Sequence, residues 1–208
     1  MMLQESKDKD NSVETVFGMY GSSSFLRMVS FQEHEQIIDK CVLYCRPLLE
    51  IKPEIMVFGR KCNQPRNVAF FSNESVGYRY SKQIMLAQPL SDELAQLLSI
   101  VNTRFGADYN GILCNEYPDG YHVVGSHSDD ESALDKNCGV ISISWGATRI
   151  FRIRDQETNT IVVDIPSSHL SVIQMGGCYF QRKYKHEIPK QTKVKDCRVS
   201  FTFRRHTS

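Results

Sequence analysis

The apolar positions of this 208-residue chain change period partway along it. In the first half they recur three and four residues apart over two stretches, which predicts amphipathic helices. Ser30-Phe31-Gln32-Glu33 has the form of a capping box, in which a Ser hydroxyl and a Glu carboxylate each satisfy an N–H group at a helix start. Ile37, Ile38, Val42 and Leu49 follow on one side of that helix, and Pro47 and Pro53 bound its end. Ser91 opens a second helix through Leu94, Leu97, Leu98 and Val101, with Gly106 suited to its C-terminal cap. Between the two, Val57-Phe58 reads as a strand running into a turn at Gly59-Arg60. The aromatic, turn-rich stretch 69–80 reads as strands and loops.

After Gly111 the pattern shortens. Runs rich in β-branched and aromatic residues recur at 112–117, 140–145, 150–153, 160–165, 170–175, 184–188 and 198–203, separated by turn formers. Such spacing predicts an antiparallel sandwich or jelly roll rather than βαβ units. With the helices placed ahead of it, the expected fold is α+β: a double-stranded β-helix (jelly-roll) core supported by N-terminal helices. The polar start, MMLQESKDKDNS, predicts a flexible segment over 1–20 and a single domain over 21–208.

A hydrophobic content of 41% and a charged content of 24% fit a soluble globular protein, and no apolar run approaches the ~20 residues that cross a bilayer. The start resembles neither a secretory signal nor an Arg-rich transit peptide. The expectation is an intracellular monomer with no membrane association. Seven cysteines, at 41, 45, 62, 114, 138, 178 and 197, are odd in number and lack CxxC spacing, as expected of reduced thiols. Cys41 and Cys45 read as small buried hydrophobes, with a structural zinc site shared with His34 as the alternative.

The net charge is only +1, but nine Lys or Arg against two acids lie between Arg182 and Arg205, and Arg60, Lys61 and Arg66 form a second cluster. A solvated face and a phosphate-contacting surface both account for such clusters.

The candidate chemistry lies in His127-Ser128-Asp129, His186, Arg198 and Arg204. Residues at i and i+2 of a strand project to one face, so His127 and Asp129 can reach the same metal. His186 lies on a later predicted strand that a jelly roll can bring opposite. Two imidazoles and a carboxylate are the ligand set of a non-haem Fe(II) facial triad, and zinc with a bound water is the competing reading. Arg198 and Arg204 share strand parity inside the apolar run RVSFTFR. Buried arginines need partners, either structural carboxylates or a bound dicarboxylate such as 2-oxoglutarate. Asn115 and Tyr117, again at i and i+2, add an amide and a phenol.

The ordered segments NEYPDGYHVVGSHSDDE, SWGATRIF, YKHEIP and RVSFTFR resemble the AlkB family of Fe(II)/2-oxoglutarate dioxygenases, over at least Val57 to Arg204. The resemblance implies Fe(II) bound by His127, Asp129 and His186, with 2-oxoglutarate as co-substrate and O2 as oxidant. It places Arg198 and Tyr117 at the distal carboxylate of 2-oxoglutarate, and Asn115 and Arg204 near the metal-chelating one, with Thr202 between them. Ser200 stands where many AlkB repair enzymes have Asn.

The likeness is greatest to the branch acting on alkylated double-stranded DNA, and it implies a nucleotide-recognition region at about 55–82. Val57-Phe58-Gly59-Arg60 resembles a hydrophobic finger, whereas the pattern alone reads as a buried strand and turn. Arg60, Lys61 and Arg66 would contact phosphates. Tyr78 would stack on an extruded base opposite His127, with Tyr80 in the same lining, although core packing is the plain reading of both tyrosines. Asp130 and Glu131 would favour a cationic alkylated base, with a solvated turn as the alternative for Asp130. Gly146 permits a tight strand connection, and Arg149 is either structural or phosphate-facing. The implied activity is oxidative demethylation of 1-methyladenine and 3-methylcytosine in DNA with release of formaldehyde, duplex preferred. RNA demethylation and a non-catalytic binding module are the alternatives. A nuclear location follows if the substrate is the genome of a nucleated cell.

Overall fold

The computed structural model describes residues 3–7, 13–18, 24–57, 59–80, 83–135, 137–177 and 179–207, with the backbone alone described at 3–7, 13–18, 57, 79, 80 and 83. In chain order the strands are β1 (Leu3–Lys7), β2 (Val13–Gly18), β3 (Phe25–Ser30), β4 (Glu54–Val57), β5 (Arg60–Asn63), β6 (Asn67–Phe71), β7 (Gly77–Tyr80) and β8 (Gln83–Leu86). They continue with β9 (Gly111–Tyr117), β10 (Val124–His127), β11 (Val140–Gly146), β12 (Arg149–Asp155), β13 (Ile161–Ser167), β14 (Ser171–Gly176), β15 (Tyr184–Ile188) and β16 (Arg198–Arg204). Helix α1 (Glu35–Cys45) precedes β4, α2 (Asp92–Phe105) follows β8, and the single-turn α3 (Phe180–Lys183) precedes β15.

Eight of these strands make the jelly roll. One sheet carries β14-β11-β16-β9 and faces a second of order β10-β15-β12-β13, so strands from β9 to β16 alternate between sheets except at the β12–β13 hairpin, in the double-stranded β-helix manner. The first sheet is extended by β6 on one edge and by β3, β2 and β1 on the other. Residues 1–20, expected as a flexible segment, thus contain two strands: β1 pairs with β2, and β2 with β3, which supplies an edge for their backbone groups.

The strands of the first sheet are buried along their length because both faces are covered. Val199, Phe201 and Phe203 of β16 and Ile112 and Cys114 of β9 pack with Ile38, Val42, Leu94, Leu97 and Val101 of the two helices. Tyr117, Val124, Phe151, Ile153, Met175 and Ile188 fill the space between the sheets. The alternation of RVSFTFR follows from this layering: Val199, Phe201 and Phe203 meet the helices, while Arg198, Ser200, Thr202 and Arg204 face the jelly-roll interior.

The second helix forms as its sequence predicts. Ser91 Oγ accepts the Leu94 N–H at 3.3 Å, and Gly106 closes the helix at φ 59°. The capping box at Ser30 does not form. Ser30 is the last residue of β3, opposite Ser171, and the Phe31 N–H donates to the Leu170 carbonyl at 2.9 Å. The chain enters α1 only after a 3-10 turn over Gln32–His34, with no side-chain cap, because strand pairing takes Ser30 first. Cys41 and Cys45 are buried on α1, as expected of small hydrophobes, and the zinc alternative with His34 is not built.

Two hairpins stand outside the jelly roll: β4–β5, turning at Gly59 (φ 78°), and β7–β8. Among the described residues no helix is long and apolar enough to cross a membrane.

Candidate active site

His127 and His186 are directly opposed in the β10–β15 pairing, with ring centroids 4.2 Å apart. β10 ends at His127, so Asp129 lies in the loop beyond rather than on the strand. Two contacts hold that loop: the Asp129 N–H donates to Gln181 Oε1 at 2.9 Å, and Ser128 Oγ donates to the Tyr184 carbonyl at 3.0 Å. Asp129 Oδ1 sits 3.7 Å from His127 Nε2, and Oδ2 sits 3.8 Å from His186 Nε2. Among the described residues this is the one group of three with metal-ligand character, its donor atoms all within 4.8 Å of one another.

The donor set fits a divalent cation. His127 Nδ1 pairs with the Gly125 carbonyl at 2.8 Å, which places the proton there and leaves Nε2 as a lone-pair donor. Burial lowers the affinity of His127 for a proton, and burial together with His127 lowers the pKa of His186 to about 3, so both rings are neutral. Burial pulls the Asp129 carboxyl upward, but the charge of Arg204 and its hydrogen bond hold the group well below the usual range. Arg204 Nη2 donates to Oδ1 at 2.8 Å, whereas the buried Oδ2 has no hydrogen-bond partner. A buried ionised oxygen without a partner beside two neutral imidazoles is the electrostatic description of a cation site. Phe151 stacks on His186 at 5.3 Å and 11° and fixes the ring plane.

The two arginines differ in their partners. Arg204 is paired with Asp129 and lies 5.1 Å from the Tyr78 ring centroid. Arg198 is 1% exposed, and among the described residues no carboxylate lies within ion-pair distance of it. Its Nη2 donates to Ser144 Oγ at 2.8 Å and reaches Ser167 Oγ at 3.4 Å, with the Tyr117 ring 5.2 Å away. Nε and Nη1 are buried and unbonded. Arg198, Tyr117, Asn115, Ser200, Thr202 and Arg204 line one cavity together with His127 and His186. Arg66 also lines it, so the cavity has three guanidinium groups at its wall and suits a small dianion lying toward the metal ligands.

On the outer side Tyr78 is buried, and its hydroxyl donates to Glu131 Oε1 at 2.8 Å. Burial, then the Asp129 charge, raises the Glu131 carboxyl, opposed by Arg204. Asp130 is exposed in the turn, so only its neighbour Glu131 faces the site. Arg66 departs from expectation. Rather than standing with Arg60 at a phosphate-contacting surface, it is 5% exposed and its Nε donates to Asn115 Oδ1 at 2.8 Å. The pairing of Val68 with Asn115 across β6 and β9 turns that side of the chain inward. Arg60 is exposed at the start of β5, and Lys61 is exposed and paired with Glu54. Gly59 makes the hairpin turn, while Phe58 and the side chains of Val57 and Tyr80 lie outside the described residues.

Arg149 is fully buried and donates to the carbonyls of Asp119, His122 and Pro189, each at 2.9 Å, and to Gln191 Oε1 at 3.2 Å. It ties two loops together and is not phosphate-facing. Gly146 has φ 85°, and a Cβ there would run into the Cys197 carbonyl oxygen, so the tight connection requires glycine. Ser144, Ser167, Phe151 and Gln181 are site residues that pattern reading did not find, because each acts through a tertiary contact with no spacing of its own.

The model of the 2OG-Fe(II) oxygenase superfamily matches residues 22–204. The chain is 30% identical over 158 residues to human DNA oxidative demethylase ALKBH2, covering 73% of this chain and 60% of that protein. It is 35% identical over 150 residues to the rat alpha-ketoglutarate-dependent dioxygenase alkB homolog 3, covering 68% and 50%. It thus spans little more than half the length of these relatives. The solved structure of OsALKBH1 superposes with a TM-score of 0.59 at 16% identity, covering 92% of this chain and all of that one, which shows the shared fold. The chain belongs to the 2OG-Fe(II) oxygenase superfamily, in which Fe(II), 2-oxoglutarate and O2 are the working set.

Proposed function

We propose that this chain is an Fe(II)/2-oxoglutarate-dependent oxidative demethylase of N-alkylated DNA bases, 1-methyladenine and 3-methylcytosine, with duplex preferred. The carrying observation is Arg198, a buried cation without a carboxylate partner among the described residues, in one cavity with a His-Asp-His set whose Asp129 Oδ2 is buried and accepts no hydrogen bond from them. Both deficits are met at once by a dicarboxylate and a divalent metal.

In this reading His127, Asp129 and His186 hold Fe(II), which with 2-oxoglutarate and O2 supplies the two-electron oxidation of an N-methyl carbon, leaving succinate and CO2. The hydroxymethyl product then loses formaldehyde and returns the base. Arg198 and Tyr117 hold the distal carboxylate of 2-oxoglutarate, and Ser144 and Ser167 orient the guanidinium. Arg204 fixes the Asp129 carboxylate through Oδ1 and keeps Oδ2 aimed at the metal. Asn115, Ser200 and Thr202 complete the polar wall. Tyr78 and Glu131, hydrogen-bonded to each other, form the wall against which a flipped base rests, and the Glu131 carboxylate favours a cationic one. Val57, Phe58 and Gly59 form the wedge that fills the vacated stack, with Arg60 at the phosphates. The chain acts as a monomer, inside the cell and at the genome.

Formaldehyde release from matched methylated duplex DNA, single-stranded DNA and RNA tests this. The expected order has duplex DNA first, and Phe58→Ala lowers turnover on duplex while sparing single strands. Equal loss on both removes the wedge, and turnover confined to RNA replaces the DNA reading.

A further inference from the structure

Arg66 reaches the co-substrate cavity from the short connection between β5 and β6. The chain around it is held at three points. The Gln64 N–H donates to the Pro53 carbonyl at 2.8 Å, the Val123 N–H donates to the Pro65 carbonyl at 3.1 Å, and Asn67 Nδ2 donates to Glu116 Oε2 at 2.7 Å. The Arg66 side chain is buried, and its Nε donates to Asn115 Oδ1 at 2.8 Å. Asn115 lies on β9 between its strand partners Val68 of β6 and Ser200 of β16, and it lines the same cavity as Arg66, Arg198 and Arg204.

A primary amide keeps nearly the same shape when its oxygen and nitrogen exchange places, so its partners decide which atom points where. A guanidinium has donors only, and the Asn115 atom turned toward Arg66 is therefore the oxygen. Nδ2, with no acceptor among the described residues, is left to the cavity that Asn115 lines. The sense of the amide matters because the ligand is an anion. An N–H donates to a carboxylate, whereas an amide oxygen turned on it sets two acceptors face to face. A permanent positive charge on Oδ1 also polarises the amide and strengthens Nδ2 as a donor.

We propose that Arg66 is a positioning residue for 2-oxoglutarate: it holds the Asn115 amide with Oδ1 toward itself and Nδ2 toward the cavity, where Nδ2 donates to a carboxylate of the co-substrate. This rests on the reading of the cavity as the 2-oxoglutarate site. Loss of Arg66 is then felt in co-substrate affinity with no nucleic acid present, which a phosphate contact would not produce.

Isothermal titration calorimetry of 2-oxoglutarate, with Mn(II) in place of Fe(II) and no nucleic acid, tests this through a double-mutant cycle. Arg66→Met is expected to weaken binding about tenfold when Asn115 is present, and less than about twofold in the Asn115→Ala background. Asn115→Asp keeps an acceptor for Arg66 but sets a carboxylate oxygen where the nitrogen stood. It is expected to melt no lower than the wild type and to weaken 2-oxoglutarate by about a hundredfold or more. A loss from Arg66→Met that is equal in the two backgrounds, or absent from both, overturns the role of Arg66, as does an Asn115→Asp variant that binds like the wild type. A wild type that does not bind 2-oxoglutarate overturns the reading of the cavity as well.

Discussion

Replacing Arg198 by Met separates a binding arginine from a structural one. Met has comparable length, and it removes a buried cation that among the described residues has hydroxyl and aromatic neighbours but no carboxylate. Substituting well-packed apolar groups for buried charges is often neutral or stabilising by about 1–4 kcal/mol. The ligand-free variant is therefore expected to melt no lower than the wild type. The same change removes a desolvated charge partner for 2-oxoglutarate, a loss of about 2–5 kcal/mol, equivalent to roughly 30- to 5,000-fold in affinity. At 100 times its Kd, 2-oxoglutarate stabilises the wild type by about 2.7 kcal/mol. For a chain of this size that raises Tm by on the order of 5–10 °C. Differential scanning fluorimetry with and without 2-oxoglutarate, Mn(II) replacing Fe(II), reads both quantities. A ligand-free variant that melts well below the wild type and keeps the 2-oxoglutarate shift would show that Arg198 is a structural residue, contrary to this reasoning.

Two further outcomes follow from the same geometry. Arg149→Met takes the guanidinium donor from the His122 and Pro189 carbonyls, and one of two donors from the Asp119 carbonyl and the Gln191 amide oxygen, and is expected to cost about 3–5 kcal/mol, read as a lowered Tm with 2-oxoglutarate affinity retained. A change within 1 kcal/mol would refute the tie between the two loops. His206 is buried against Phe70, and burial, then Arg204, lowers its pKa to about 4. Above about pH 6.5 neither folded nor unfolded chain protonates it, while between 6.5 and 4 only the unfolded chain takes the proton. Stability is therefore lost as pH falls through that window, by about 3 kcal/mol for this group. His206→Phe should flatten the acid side of the stability profile, and an unchanged profile in urea titrations from pH 7 to 4 would refute the assignment.

How far the site could be read from the chain depends on the kind of contact involved. His127, Asp129 and His186 were legible because ligand chemistry imposes residue types, although Asp129 reaches the site from the loop after β10 rather than by the strand alternation its spacing suggested. Arg198 and Arg204 were legible because charge in an apolar run demands a reason, and the even separation places both on one face. Seven of the eight jelly-roll strands were legible from their length and turn punctuation, and the short β10 was not among the runs. Arg66 was not, since an arginine after a proline beside Arg60 and Lys61 looks solvated until β6 is set against β9. Ser30 carried a helix-start signal, but the pairing of β3 with β14 claimed its backbone first, a tertiary contact overriding a local one.

The central claim is that oxidation of a methylated base is driven by metal-dependent breakdown of 2-oxoglutarate at the His127, Asp129, His186 set. Its most direct test is the stoichiometry of succinate and formaldehyde formed from a 3-methylcytosine oligonucleotide under Fe(II), 2-oxoglutarate and O2, in the wild type and in Asp129→Ala. The account predicts one succinate for each formaldehyde in the wild type, and neither product from a folded Asp129→Ala. Formaldehyde without matching succinate, or product formation that survives in Asp129→Ala, would contradict it.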